Sequence, residues 1–264
     1  MKKIVSLDNK TIKQVISLKK SRERKNQNKF YIDGLREIEI ALNNNYIFNK
    51  LFFCPTLNKK NIKYLIDKIK NNTEIIEVDE RVFKKISYKE NPDGVLAILD
   101  YKKNNENNFN DDIVFVLDNI EKPGNFGAIC RTAVAANVNN IFLTGKEIDI
   151  FNPNVIKSSE GLIFNLNIEY IQKEDLVQKL KNNNYKVIGA LTNGSVSYAS
   201  LDYKEKIAIV LGSESKGLDL EWNNLLDEKI KIPMKKNIDS LNLSVSAAII
   251  VYEILRQNNF KQLN

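Results

Sequence analysis

Between Asp112 and Met234 the chain carries a succession of short runs, DIVFVLDNI, NIFLTG, YKVIGALTNG, KIAIVLGSE and KIKIPM, that are almost wholly apolar. A strand with one wet face alternates apolar and polar residues. These runs do not alternate, so both of their faces must be covered, as happens when helices pack on either side of a parallel sheet. Segments with helical character lie between or after the runs, at roughly Asn125 to Ala136, Lys173 to Asn182 and Asn242 to Gln257. The expected architecture is therefore α/β, a parallel sheet with crossover helices. In such sheets a ligand sits beyond the carboxyl ends of the strands, so the loops that follow the runs are the places to look for chemistry.

Upstream, FYIDGLREIEIAL predicts a short strand and then a helix, KLFFCP a strand stopped by Pro55, IKYLIDKIKNN a helix and EIIEVD a strand. This alternation suggests a second, smaller α/β domain. Before it, Ile12, Val15 and Ile16 recur at helical spacing, followed by a basic stretch that includes Lys19, Lys20, Arg22, Arg24 and Lys25. The polar, low-complexity segment YKKNNENNFNDD separates the two regions. It reads as a linker at 101–112 between a domain at 1–100 and a domain at 113–264.

Composition narrows the chemistry. The 264 residues include no histidine, which removes imidazole acid–base catalysis, Ser-His-Asp and Cys-His nucleophiles and His-ligated metals. Cys54 and Cys130 stand alone, with neither zinc-ligand nor redox-pair spacing, so no metal is expected and both read as buried apolar residues. A net charge of +7 suits a polyanionic partner. The opening MKKIVSLDNKTIKQV has no apolar signal core, and no run is long enough to span a membrane, so a cytoplasmic protein without membrane attachment is expected.

Three loops stand out. In DNIEKPGNFGAICRTAVAANV, Pro123 and Gly124 make a turn, Asn125 is placed to cap the following helix, and Gly127 lies one helical turn before Arg131 on the same face. Spacing alone leaves Arg131 open between a salt-bridged structural residue and a functional one. In IVLGSESKGL, Gly212 and Gly217 bracket Ser213, Glu214, Ser215 and Lys216. This is neither a Walker loop nor a nucleophile elbow, and it serves equally as a glycine turn or a ligand loop. In IPMKKNIDSLNLSVSAAIIVYEIL, Pro233 stops a strand, Asp239, Ser240 and Asn242 sit at a helix start, and Val245, Ala248, Ile249 and Tyr252 share one helical face. Capping accounts for part of Ser240 and Asn242.

Taken in order, these stretches resemble the motifs of the SpoU-type (TrmH family) RNA 2'-O-methyltransferases of the SPOUT class. Asn125-Phe126-Gly127-Ala128-Ile129-Cys130-Arg131-Thr132-Ala133 is similar to the first motif, and Leu211 to Leu218 to the second. Ile232-Pro233-Met234 with Ser240-Leu241-Asn242-Leu243-Ser244 is similar to the third. FNPNVIKSSEGLIF resembles the family's middle segment, and the N-terminal region resembles its L30e-like RNA substrate-binding domain. The resemblance implies a trefoil knot formed by the carboxyl-terminal segment, which periodicity could not have given. It also implies S-adenosylmethionine as cofactor and a homodimer. The implied substrate is RNA, ribosomal (23S) in preference to transfer RNA, with no DNA expected.

By carry-over, the cofactor is expected against Thr192, Gly194, Leu211, Gly212, Ile232, Met234 and Leu241. Arg131 is expected to activate the 2'-hydroxyl, with Asn125 and Asn242 positioning, Glu214 orienting Arg131 or its loop, and Ser240 contacting loop or substrate. The alternatives are a non-catalytic RNA-binding assembly factor and an RNA base methyltransferase. One departure is visible: many relatives carry glycine two positions after the I-P-M methionine, where this chain has Lys236.

Overall fold

The computed structural model describes residues 2–58, 62–69, 72–102 and 109–263, so 103–108 of the expected linker lie outside the described residues. The chain forms two compact units, 1–103 with 149–165, and 104–148 with 166–264.

The first unit is a mixed sheet of β1 (Lys2–Ile4), β2 (Lys29–Asp33), β3 (Phe48–Phe53), β4 (Glu74–Val78) and β5 (Val95–Asp100), in the order β1-β4-β3-β5-β2. Around it lie α1 (Lys10–Ser17), α2 (Ser21–Gln27), α3 (Leu35–Asn43), α4 (Lys63–Lys68) and α5 (Glu80–Ile86). Its core joins Ile12, Val15 and Leu18 to Phe52, Ile76, Phe83 and Ile98, all fully buried.

The middle segment belongs to this unit, against the expectation that 113–264 forms one body. Two observations explain why. Phe151 stacks on Phe30 of β2 with ring centroids 4.1 Å apart. Arg24 of α2 is 1% exposed; its Nε donates to Asp149 Oδ2 at 3.0 Å and its Nη1 to the Leu18 carbonyl at 2.6 Å. Arg24, one cation of the basic stretch seen in the sequence, is thus consumed internally. Lys19 is likewise engaged, donating to the Lys85 and Ser87 carbonyls.

The second unit is a seven-stranded parallel sheet in the order β10-β12-β9-β11-β6-β7-β8. Its strands are β6 (Ile113–Asp118), β7 (Asn140–Thr144), β8 (Asn167–Tyr170), β9 (Tyr185–Ala190), β10 (Val196–Ser197), β11 (Lys206–Leu211) and β12 (Glu228–Lys231). α6 (Pro123–Ala135), α8 (Lys173–Asn182) and α9 (Leu243–Gln257) complete it, while α7 (Pro153–Ser158) lies in the first unit. β6 and β11 are buried almost throughout, as their unbroken apolar runs require. α6 turns Phe126, Ile129, Cys130 and Ala133 inward, and burial pushes the Cys130 thiol pKa up, so this cysteine is a packing residue.

Register decides where the loops go. Leu117 pairs with Leu211, Leu211 with Ala190, and Ala190 with Ile230, so β6, β11, β9 and β12 end in one row. The four loops that follow leave from the same edge.

Asp149→Ala should strand the Arg24 guanidinium in the interior at a cost of about 3–5 kcal/mol. The check is denaturant unfolding; a midpoint equal to that of the parent chain would show that the buried pair does not hold the segment.

Candidate active site

Three of those loops are joined by side chains. Asn125 Nδ2 donates to Glu214 Oε1 at 2.7 Å, and Asn242 Nδ2 donates to Asn125 Oδ1 at 3.0 Å. One amide therefore bridges the loop after β11 and the start of α9. The expected capping role of Asn125 is not what the structure shows. Pro123 occupies the first turn, where its fixed φ and missing N–H suit a helix start, and α6 begins two residues earlier than expected. Asn125 lies inside that turn with its side chain available to the neighbouring loops. Asn242 does cap, since its Oδ1 accepts from Ser244 N at 2.9 Å while its amide nitrogen serves Asn125.

The loop after β11 is a tight hairpin. Ser213 and Gly217 exchange backbone hydrogen bonds at 3.0 and 2.9 Å, and Gly217 sits at φ +69°, a conformation that favours glycine. Gly212 is needed for a different reason: a Cβ there would lie 2.1 Å from the Gly217 carbonyl carbon. The hairpin holds Glu214, whose second oxygen accepts from Glu121 N at 3.3 Å, while Ser215 Oγ donates to Glu121 Oε1 at 2.9 Å. Gly194 plays a similar part after β9, where a Cβ would meet the Ile230 backbone at 2.4 Å.

A cleft of about 870 Å³ opens among these loops, within the size range of small-ligand sites. Its lining includes Asn125, Thr192, Leu211, Gly212, Glu214, Ile232, Met234, Ser240, Leu241 and Asn242, which are ten of the twelve residues singled out from sequence. The other two are placed differently. Gly194 backs onto Ile230, and Arg131 lies on an exposed position of α6, six residues beyond Asn125 and outside the cleft lining. Lys122, Asn223 and Lys229 also line the cleft and were not picked out by sequence reading, because single polar residues in loops carry no periodic signal. Lys236, the departure from the usual glycine, causes no conflict: the left-handed residue of this loop is its neighbour Asn237, at φ +77°.

The sequence profile of the SpoU rRNA Methylase family matches residues 112–252. This chain belongs to that family. A profile described as MRM3-like substrate binding domain matches residues 9–97. Among similar proteins, the 23S rRNA (guanosine(2553)-2'-O)-methyltransferase RlmP of Bacillus subtilis is 26% identical over 254 residues, covering 96% of this chain and 99% of the relative. The crystal structure of an RNA 2'-O ribose methyltransferase superimposes with a TM-score of 0.85 at 30% identity, covering 97% of this chain and 99% of that one. An AdoMet-bound rRNA methyltransferase from Sinorhizobium meliloti does so with 0.85 at 26% identity, covering 97% of both chains. The fold expected from sequence, a parallel-sheet methyltransferase unit with a small N-terminal α/β domain, is the one observed. Among the described residues there is no cluster suited to a metal ion and no helix long and apolar enough to cross a membrane.

Gly212→Ala should open the hairpin and draw Glu214 away from Asn125. The readout is the Asn125 side-chain amide signal by NMR, expected to move toward its solvent-exposed position. An unmoved signal would mean that the turn tolerates the methyl group.

Proposed function

We propose that this protein is an S-adenosylmethionine-dependent methyltransferase acting on a ribose 2'-hydroxyl of ribosomal RNA, with 23S rRNA the substrate favoured by its Bacillus relative. The observation that carries the proposal is the convergence of the three motif loops on one cleft through Asn125.

The cleft suits the cofactor. Leu191, Leu211, Ile232, Met234 and Leu241 offer an apolar lining for a purine, and the Gly212 backbone is bare of any side chain. Thr192 and Asn193 add polar groups at the end of β9. When bound, S-adenosylmethionine supplies a methyl group already activated on a sulfonium. The chain itself has to position the ribose and steady the oxygen as it loses its proton.

Arg131 suits the second task. A guanidinium stays charged at any working pH and is a poor base, but it stabilises developing negative charge on an oxygen and can hold a neighbouring phosphate. Such a contribution is often about 3 kcal/mol. It is compatible with a chain that has no histidine. Asn125, Asn242 and Glu214 act by holding the loops in mutual register, and Ser240 faces the same cleft as a substrate or loop contact.

The exposed position of Arg131, outside the cleft of a single chain, fits a homodimer. α9 is apolar on two faces: Ala247, Ile250, Val251 and Ile254 are buried, while Val245 and Tyr252 remain 46% and 41% exposed, with Ala248 and Ile249 half-buried between them. A second copy covering that face, next to α6, completes the site. In this reading the carboxyl-terminal segment threads its neighbouring loop as a knot, the protein works in the cytoplasm, and the first unit docks RNA through exposed Lys20 and Arg22.

Arg131→Ala is expected to bind S-adenosylmethionine as the parent does by calorimetry while losing methyl transfer by about two orders of magnitude or more. Turnover at the parent's rate would remove Arg131 from the mechanism, and a parent protein that takes up no cofactor would remove the proposed function.

A further inference from the structure

Lys173 is out of place by ordinary rules. It is the first residue of α8, where the helix dipole disfavours a cation, and it is 7% exposed. Two carboxylates compensate. Its Nζ donates to Asp219 Oδ2 at 2.6 Å and to Glu221 Oε2 at 2.7 Å, and it stands 5.5 Å from the centroid of the Trp222 ring. Burial pulls the ammonium down, but the hydrogen bonds to Asp219 and Glu221, together with the negative charges of Asp118 and Asp219, leave its pKa above the ordinary lysine value.

The partners of Lys173 belong to the segment that continues from the Gly212–Gly217 hairpin. Asp219 lines the cleft and caps the short 3-10 helix Leu220–Asn224, its Oδ1 accepting from Glu221 N at 3.2 Å. Leu218, Leu220 and Asn223 line the cleft from the same stretch. Trp222, fully buried, anchors the stretch in the core beside Leu176, Val177 and Tyr185. The hairpin is thus tied at its tip by Asn125 and Glu121, and the segment after it is tied from behind by Lys173.

We propose that Lys173 is a positioning residue for the cofactor side of the cleft: it fixes residues 218–223, and through them the exit of the Gly212–Gly217 hairpin, in the geometry that receives the ligand. The inference rests on the function proposed above. It concerns a wall of the cleft that the Asn125–Glu214 and Asn125–Asn242 contacts do not reach, and it acts without Lys173 touching ligand or RNA.

The test pairs K173M with K173R. In K173M, amide hydrogen exchange across 212–223 should accelerate by about tenfold relative to β6 and β9. Its dissociation constant for S-adenosylmethionine should rise by about tenfold, with K173R restoring both because it keeps a cation between the two carboxylates. Exchange that is unchanged, or that rises equally throughout the second unit, would overturn the proposal, as would parent-like cofactor affinity in K173M. If K173M does not fold, the double variant D219N/E221Q removes the same two charge-assisted bonds and is read in the same way. A parent protein that binds no S-adenosylmethionine would sink the proposed function, while the exchange measurement would still decide whether Lys173 holds the segment.

Discussion

A single side-chain amide holds the candidate site together. Asn125 donates through its nitrogen to Glu214 and accepts through its oxygen from Asn242, so both ends of one group are used on loops 89 and 117 positions away. A side-chain amide carries a donor and an acceptor side by side on one neutral, planar group, so one residue can hold both loops. Its position depends in turn on Pro123, which begins α6 early enough for Asn125 to fall in the first turn beside both loops. The common edge on which the loops meet is set by sheet register, with Leu117, Leu211, Ala190 and Ile230 ending four parallel strands in one row.

Around that amide, the backbone itself is packed too closely for side chains. Gly212 lies against Gly217 and Leu218, and Gly194 against Ile230. Such contacts leave the loops little freedom to drift, which is how a site can be preorganised without metals or disulfides. Lys173 contributes the same kind of restraint from behind, with charge rather than close backbone packing.

Much of this was legible in the sequence, for identifiable reasons. The unbroken apolar runs announced strands covered on both faces, and α8 falls at the expected residues because its apolar positions recur at helical spacing. The convergence of Asn125, Glu214 and Asn242 was legible only through the resemblance of three motifs, since spacing alone cannot join residues so far apart. β1, β5, β8 and β10 went unread, β5 although its VLAILD is an apolar run like those of the second unit. Other features left no local trace. Arg24 read as one more cation in a basic helix until Asp149 was found beside it, and Lys173 is indistinguishable from any surface lysine until its partners 46 and 48 positions away are placed. The membership of residues 149–165 in the first unit is of the same kind, fixed by contacts with Arg24 and Phe30 rather than by composition.

The central claim is that this cleft directs a methyl group to a ribose oxygen. It is tested most directly by incubating the protein with unmodified ribosomal RNA and S-adenosylmethionine labelled in its methyl group, then hydrolysing the RNA in alkali. A methyl group on the 2'-oxygen removes the nucleophile that cleaves the chain, so the label should be recovered in alkali-resistant dinucleotides. Label recovered wholly in mononucleotides would place the methyl group on a base and contradict the account.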